Sequence, residues 1–257
     1  MTTNFNVIKY DGNVSEVTMV VPEEKPITII LNDEKLVTLM ATPKNLRGLS
    51  LGFLYAEGFI DDIKGIKAIS SDEKNGVVKI KVDSVLRKPR NKIFTSGFGK
   101  GVTFSAPFKG EGLKPISFSK VFSAKRIIGL MVKFLRSTEI HRSTGGVHCS
   151  ALCSENDILS IQEDIGRHNT IDKVLGDILI GDIPTEDKMI FTTGRISSEM
   201  LYKSAKVSIP VVVSHSTPTD VSIEIGEKFG VSVIGYVRAG KMYVYTHPKR
   251  IGMDKNG

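Results

Sequence analysis

The sequence has few of the residues that would cross-link it, anchor it in a membrane or stack it on nucleic-acid bases. Its 257 residues include two cysteines, no tryptophan and 7% aromatics. No apolar run approaches the roughly 18 residues that a membrane span needs. Cys149 and Cys153 lie four positions apart, too few for a disulfide framework and not in a common zinc spacing. With the polar start MTTNFNVIKYDGN, these absences predict a cytoplasmic protein with reduced thiols, no membrane segment and no metal.

The overall composition is that of an ordinary globular protein. Hydrophobic residues make up 40% and charged residues 25%, with 24 glycines and 10 prolines, which excludes disorder, collagen and coiled coil. The length suggests one large α/β body with a smaller appended part. We expect residues 1–115 to form a β-rich part with one helix and a basic glycine-rich loop, and residues 116–257 to form the α/β domain.

Acidic residues are scarce between positions 86 and 142. This segment has 13 Lys and Arg against Glu111 and Glu139, a net charge of +11, which leaves −4 for the rest of a chain whose total is +7. A block of this kind favours an anionic partner, either a phosphorylated small molecule or an acidic protein face, although a solvated basic surface also fits. Because the sequence contains no recognisable nucleic-acid-binding motif, nucleic acid is not expected.

Turn-forming and helix-capping residues mark the predicted elements of the N-terminal half. Residues 27–40 predict a hairpin that turns at Asn32 and Asp33, and Thr42 with Pro43 predicts the start of a helix that runs through residue 60. A strand is predicted at 77–82, a loop at 91–103 and a helix that begins at Ser123.

From residue 143 onward strands and helices alternate. The predicted strands are 158–162, 189–193, 210–214, 231–237 and 242–245, and the predicted helices are 169–180, 197–206 and 221–229. This alternation predicts a mixed, mostly parallel sheet covered by helices on both faces.

Two strand-to-helix turns are suited to binding anions. Ligands of open α/β sheets collect where strands end, and hydroxyls, unpaired amides and helix dipoles converge there. Serine and threonine are also routine helix caps, so a purely structural role is the alternative. The candidate residues in these turns are Thr193, Gly194, Arg195, Ser197, Ser214, Ser216 and Thr217.

A second group of polar residues is expected at the same edge. It consists of His148, Asp164, Arg167 and His168, the last near a helix start that favours its neutral form. A hydrolase or deaminase reaction on these residues is one hypothesis, although the metal-ligand pattern of deaminases is absent. For Cys149 and Cys153 packing behind a strand is expected, with a catalytic thiol as the alternative.

Several long stretches resemble the FdhD/NarQ family of formate dehydrogenase accessory proteins. They are STGGVHCSAL (143–152), EDIGRHNTIDKVLG (163–176), TTGRISSEMLYKSA (192–205), SHSTPT (214–219), GYVRAGKMYVYTHPKRI (235–251) and LVTLMATPKNLRGLSLGFLYAEGFI (36–60). The resemblance implies a cytidine-deaminase-like sheet and a cytoplasmic homodimer. It also implies a sulfurtransferase that carries sulfur from a cysteine desulfurase to the molybdenum bis(molybdopterin guanine dinucleotide) cofactor. This transfer would precede insertion of the cofactor into the formate dehydrogenase catalytic subunit.

By the same resemblance the guanine-nucleotide part of the cofactor lies near the segment of Tyr236, Val237, Arg238, Ala239, Gly240 and Lys241, and GDP is expected to mimic it. Sulfur-carrying members resemble T-x-x-C-G-x-C in a glycine-rich loop, where this chain has TSGFGKG. Phe98 and Gly101 stand at the two cysteine positions. Neither residue can hold a persulfide, which needs a thiolate. A cofactor-binding chaperone without sulfur transfer is therefore the alternative, with Cys149 as the substitute acceptor if transfer occurs.

Overall fold

The computed structural model describes residues 1–85, 93–94, 102–103, 113–117 and 120–253. The strands are β1 Thr2–Tyr10, β2 Val14–Pro22, β3 Lys25–Leu31, β4 Glu34–Ala41, β5 Ile66–Asp72, β6 Val77–Val82, β7 Ile93–Phe94, β8 Val102–Thr103, β9 Phe122–Ser123, β10 His148–Cys153, β11 Ile158–Asp164, β12 Met189–Thr192, β13 Val211–Ser214, β14 Ser232–Arg238, β15 Lys241–Val244 and β16 Ile251–Gly252. The helices are α1 Leu46–Ala56, α2 Ala124–Ser137, α3 Ile140–Thr144, α4 Arg167–Ile180, α5 Ser198–Lys206 and α6 Asp220–Phe229.

The main sheet has six strands in the order β11-β10-β12-β13-β14-β15. Only β12, β13 and β14 are parallel to one another, while β10 pairs antiparallel with both β11 and β12, and β15 pairs antiparallel with β14. The sheet is mixed as predicted, but the prediction that it is mostly parallel was wrong. The cause is β10, which the sequence reasoning did not identify as a strand.

Helices cover both faces of this sheet, as predicted. Ile190, Val212 and Val233 face one buried cluster, formed with α4, α5 and α6. Their neighbours Phe191, Val213 and Ile234 face the other cluster, formed with α2. Successive strand residues point to opposite faces, so continuous Val/Ile runs are what a sheet buried on both sides requires.

A second, four-stranded sheet of order β4-β3-β6-β5 lies on the N-terminal side with α1. The predicted hairpin is confirmed, with Asn32 and Asp33 at φ of 48° and 67° in its turn. Helix α1 begins later than predicted, because Asn45 rather than Thr42 caps it and accepts a hydrogen bond from the Gly48 amide. The boundary between residues 1–115 and 116–257 stays a prediction.

Helix α1 joins the two sheets by packing against α4 at backbone contact. A Cβ atom built on Gly176 of α4 would lie 2.5 Å from the Cα of Gly48 in α1, nearer than real side chains approach. Glycine is required here because only a residue without a side chain lets the helix axes come this close.

Two N-terminal strands were not predicted. β1 and β2 pair antiparallel along nine positions as a separate two-stranded ribbon. Of the predicted loop at 91–103, the structure describes only β7 and β8, which pair antiparallel, and Phe98 and Gly101 lie outside the described residues. Among the described helices, none is long and apolar enough to cross a membrane.

Candidate functional site

The Ser/Thr-rich turns after β12 and β13 lie side by side at one edge of the main sheet. Ser197 caps α5, and Thr219 caps α6 through a capping box. The Ile196 amide donates to the Thr217 carbonyl at 3.1 Å, and the Thr219 amide donates to the Ile196 carbonyl at 3.0 Å. The two helix starts are therefore held together as one crevice, as the sequence predicted.

Four amides of these turns are already hydrogen-bonded within the protein, which corrects the expectation of unpaired donors at those positions. In the first turn, the Thr193 amide donates to the Cys149 carbonyl and the Gly194 amide to the Thr192 hydroxyl. In the second turn, the His215 amide donates to the Thr192 carbonyl and the Ser216 amide to the Ser214 hydroxyl. All four distances are 2.9–3.1 Å. Ser214 itself is buried and its hydroxyl donates to the Gly194 carbonyl at 2.7 Å. Ligand contacts in this crevice must therefore come mainly from side chains.

The antiparallel strand β10 brings the second polar group to the same crevice. His148 opens β10, opposite the end of β11, and Arg167 begins α4. A Cβ atom on Gly194 would lie 3.3 Å from the Cβ of Arg167 and 3.5 Å from Nδ1 of His148. The turn therefore packs closely against both side chains, and glycine at 194 allows this close approach.

The crevice has a positive electrostatic character. Burial and the charge of Arg195 lower the pKa of Arg167. Burial lowers the pKa of His148, and the charges of Arg167, His141 and His168 lower it further. Positive groups that depress one another's protonation are stabilised by a bound anion, so this arrangement favours anionic ligands.

His215 extends this charge toward the β14–β15 hairpin. Burial and the charges of Arg238 and His141 lower the pKa of His215. His215 and His141 were not among the predicted site residues, although His215 lies in the SHSTPT stretch (214–219) of the second turn; no motif marks His141.

A cavity of about 440 Å³ opens on the β14–β15 hairpin. Its lining consists of Tyr236, Arg238, Ala239, Lys241, Tyr243 and Tyr245. The Arg238 guanidinium lies 5.0 Å from the centroid of the Tyr236 ring, and the Tyr236 and Tyr243 rings meet edge to face with centroids 6.0 Å apart. The Tyr236 amide donates to the Ser216 carbonyl at 2.7 Å, so the hairpin is fixed to the crevice.

Two tyrosines of this cavity were not predicted as site residues from the sequence. Tyr243 and Tyr245 alternate with Met242 and Val244, which pack on the buried cluster beneath α2. This period of two was the available signal, because it places both rings on the face away from the core. Val237, in contrast, does not line the cavity: it is 1% exposed and belongs to the buried cluster.

Asp164 does not line the crevice either, which corrects its predicted role. Its carboxylate is fully buried and lies 2.7 Å from the Lys173 ammonium. It also accepts hydrogen bonds from the amides of Thr42 and Gly166 at 3.1 and 2.9 Å, and from the Asn169 side chain at 2.8 Å. A carboxylate so fully engaged fixes the junction between the two sheets and is not free for a ligand.

His168 points away from the crevice into a buried ionic group. Its Nε2 atom lies 2.9 Å from a carboxylate oxygen of Glu199 in the first turn of α5. Lys203 of α5 binds both oxygens of Asp172 at 2.7 and 2.8 Å and lies 3.9 Å from Glu57. His168 therefore supports the position of α4 against α5, a role that the sequence did not suggest.

Both cysteines pack in the core, as expected. Cys149 and Cys153 are fully buried and unpaired. Burial raises the pKa of the Cys153 thiol to about 12. Burial and the neighbouring Glu163 carboxylate, 3.5 Å from its sulfur, raise the pKa of Cys149 well above the usual range. A buried thiol held protonated is a poor nucleophile, so the geometry contradicts Cys149 as a substitute sulfur acceptor.

Comparison with known proteins places the chain in a family. The model of the FdhD/NarQ family matches residues 22–252. The sulfur carrier protein FdhD of Bacillus subtilis is 37% identical over 251 residues, covering 96% of each chain, and that of Listeria innocua is 36% identical over 247 residues, covering 93% of this chain and 94% of the relative. A crystal structure of a formate dehydrogenase accessory protein from Desulfotalea psychrophila matches with a TM-score of 0.82 and 25% identity, covering 97% and 99% of the two chains. This chain therefore belongs to the FdhD/NarQ family.

Proposed function

We propose that this chain is an accessory protein for formate dehydrogenase maturation that binds the molybdenum bis(molybdopterin guanine dinucleotide) cofactor in the crevice. The names of its relatives support the accessory role. The observation that carries the binding proposal is the convergence of Arg167, Arg195 and Arg238 on two linked turns beside an aromatic cavity. The proposed place of action is the cytoplasm, and the proposed sheet architecture is cytidine-deaminase-like.

The side chains of the crevice suit the phosphates of a dinucleotide. Arg195 is exposed and Arg167 is half-buried beside Gly194, and the two groups are near enough for the charge of Arg195 to lower the pKa of Arg167. Guanidinium groups bind phosphate through paired, charge-assisted hydrogen bonds. The Ser197 hydroxyl accepts a hydrogen bond from the Met200 amide and keeps its own proton as a neutral donor next to them, whereas the Thr217 hydroxyl donates to the Pro218 carbonyl at 3.1 Å.

The cavity of the β14–β15 hairpin suits the guanine end of the same ligand. Tyr236 and Tyr243 offer ring faces for stacking, and Arg238 and Lys241 supply positive charge at the rim. Because Tyr236 is hydrogen-bonded to Ser216, the base and phosphate subsites are fixed relative to each other. The cofactor, when bound, supplies the molybdenum centre that formate dehydrogenase uses, whereas the residues of this chain hold its nucleotide part.

The thiol chemistry of this chain favours holding the cofactor over transferring sulfur to it. Cys149 and Cys153 are its only cysteines and both are buried, and by the family resemblance Phe98 and Gly101 stand at the positions of the sulfur-carrying loop cysteines. A persulfide needs an accessible thiolate, which neither buried residue supplies. We therefore favour a chaperone that delivers the cofactor to the formate dehydrogenase catalytic subunit, over a carrier that takes sulfur from a cysteine desulfurase.

Calorimetric titration with GDP and ATP tests the binding proposal. GDP is expected to bind more tightly than ATP, because the family resemblance implies a guanine nucleotide at the hairpin cavity. Arg195→Ala removes one charge-assisted hydrogen bond, worth about 1.5–3 kcal/mol, so GDP affinity should fall roughly tenfold or more. Arg136→Ala, which removes an exposed arginine of α2, is the matched control and should leave affinity unchanged. Equally weak binding of both nucleotides, unaffected by Arg195→Ala, would refute the proposal.

A further inference from the structure

The first turn of α4 carries a cation where a helix favours an anion. Arg167 and His168 are its first two residues, and the turn contains no acidic residue. Because the helix dipole is positive at this end, the Arg167 guanidinium is unfavourable there unless a neighbouring group balances its charge. Arg167 is also half-buried, so water balances that charge only in part. The balancing group must therefore come from another element of the fold.

Glu199 of α5 supplies this negative charge. It is 7% exposed, and one of its carboxylate oxygens lies 2.9 Å from Nε2 of His168. Burial and the charge of Arg195 lower the pKa of Arg167, and the charge of Glu199 opposes both. Burial alone would raise the pKa of Glu199, but contact with His168 and the nearby cations, Arg167 among them, lower it. The Glu199 carboxylate is therefore ionised at neutral pH and faces the first turn of α4.

The start of α5 is itself held against the start of α4. Glu199 lies in the first turn of α5, where the helix dipole favours an acid. The turn that leads into α5 packs on Arg167, because a Cβ atom built on Gly194 would lie 3.3 Å from the Cβ of Arg167. One turn further along α5, Lys203 binds both oxygens of Asp172 in α4 at 2.7 and 2.8 Å. A change at Glu199 is therefore felt at Arg167 without a large movement of either helix.

We propose that Glu199 is a positioning residue for anion binding, which holds the Arg167 guanidinium in the orientation that meets a phosphate in the crevice. This inference rests on the proposed function and deepens it. Arginine has a long side chain with many rotamers, and fixing it before the ligand arrives removes that cost from binding. A charge effect alone has the opposite sign, because a negative charge beside a phosphate site repels the ligand. The direction of the change in affinity therefore separates the two roles.

The test is calorimetric titration of the full chain with GDP, for Glu199→Gln, Arg167→Ala and the double variant. Glu199→Gln should weaken GDP binding about five- to tenfold, and in the Arg167→Ala background the same substitution should change it less than about twofold. Asp220→Asn is the matched control, since it removes an exposed acid from the first turn of α6 at the same crevice. The control should leave GDP affinity unchanged or raise it slightly.

A measurement without ligand tests the position of Arg167 directly. Its Nε atom is buried, so the attached proton should exchange slowly with water and give a distinct ¹H–¹⁵N NMR signal, assigned by its loss in Arg167→Ala. In Glu199→Gln this proton should exchange about tenfold faster or more. Glu199→Asp keeps the charge and guards against a variant that does not fold. It draws the carboxylate away from His168 and should weaken GDP binding about threefold or more.

Each other result contradicts the inference. GDP binding that is unchanged or tighter in Glu199→Gln, or equally weakened with and without Arg167, would show that Glu199 does not act through Arg167. Unchanged affinity in Glu199→Asp would show that only its charge matters. An unaltered Arg167 signal in Glu199→Gln, with normal GDP binding by the wild-type chain, would refute the positioning role alone. A wild-type chain that binds no GDP would refute the proposed function and this inference with it.

Discussion

Replacing Gly176 with alanine tests the contact on which the position of α4, and hence of the crevice, depends. The new Cβ would lie 2.5 Å from both the Cα and the carbonyl carbon of Gly48, and nearer still to the Gly48 oxygen. An ordinary van der Waals contact begins at about 3.4 Å, so the two helices would have to separate by roughly 1 Å. Because the atoms in the way belong to the backbone, no side-chain rotation relieves the clash.

The expected energy follows from two opposing effects. Alanine is about 1 kcal/mol better than glycine inside a helix, whereas forcing extra volume into a packed interface costs about 1–3 kcal/mol or more. Gly129 is the matched control, since it lies in the middle of α2 with nothing within 4 Å of the built Cβ. In urea unfolding, Gly129→Ala should raise the free energy of unfolding by about 0.5–1 kcal/mol.

Gly176→Ala should lower the same free energy by about 1–3 kcal/mol. GDP affinity of the folded variant should also fall, because α4 begins with Arg167 at the crevice. If Gly176→Ala stabilised the protein as much as Gly129→Ala, the helices would not be in backbone contact and the reasoning would be wrong.

Two further predictions concern the thiols and the histidines. Neither cysteine of the native protein should react with a thiol reagent on the time scale in which both react in denaturant. The Cys149→Ala variant should bind GDP as the wild-type chain does. Rapid labelling of Cys149 in the native protein would restore it as a sulfur acceptor. The pKa values of His148 and His215 are lowered by burial and by neighbouring cations, and a bound anion raises them again, so GDP binding should take up protons and strengthen as the pH falls from about 7.5 to about 6. Titration in buffers of different ionisation enthalpy measures this uptake. Its absence from the wild-type chain, or its persistence when both His148→Gln and His215→Gln are made, would contradict the assignment.

The central strands were predictable because their composition leaves little choice. Met189–Thr192 and Val211–Ser214 are short apolar runs bounded by turn residues, and the structure confirms both to within a residue. Strand β10 was not predictable in the same way. Its sequence, HCSALC, contains no β-branched residue, and polar and apolar side chains alternate only over its first four positions. Its conformation comes from pairing with β11 and β12 on both sides, which is tertiary context.

The positions of site residues along the chain were more predictable than the directions of their side chains. The turns at 193–197 and 215–219 were placed correctly, because the ends of adjacent parallel strands must meet. Asp164 was misassigned because its partner Lys173 lies nine residues away in sequence and a third contact, Thr42, comes from the other sheet. Nothing local distinguishes a buried structural carboxylate from one that faces a ligand.

The same buried pair couples the two sheets during unfolding. The Lys173 ammonium donates to the Thr42 carbonyl at 3.1 Å while it neutralises Asp164, so separating the N-terminal sheet from α4 would leave an ion pair with part of its hydrogen bonding lost. Such a loss is costly wherever water does not replace the partner, and subglobal opening at this junction is correspondingly rare. We therefore expect the backbone amides of α1 and α4 to exchange slowly as one unit, and the two sheets to open together rather than separately.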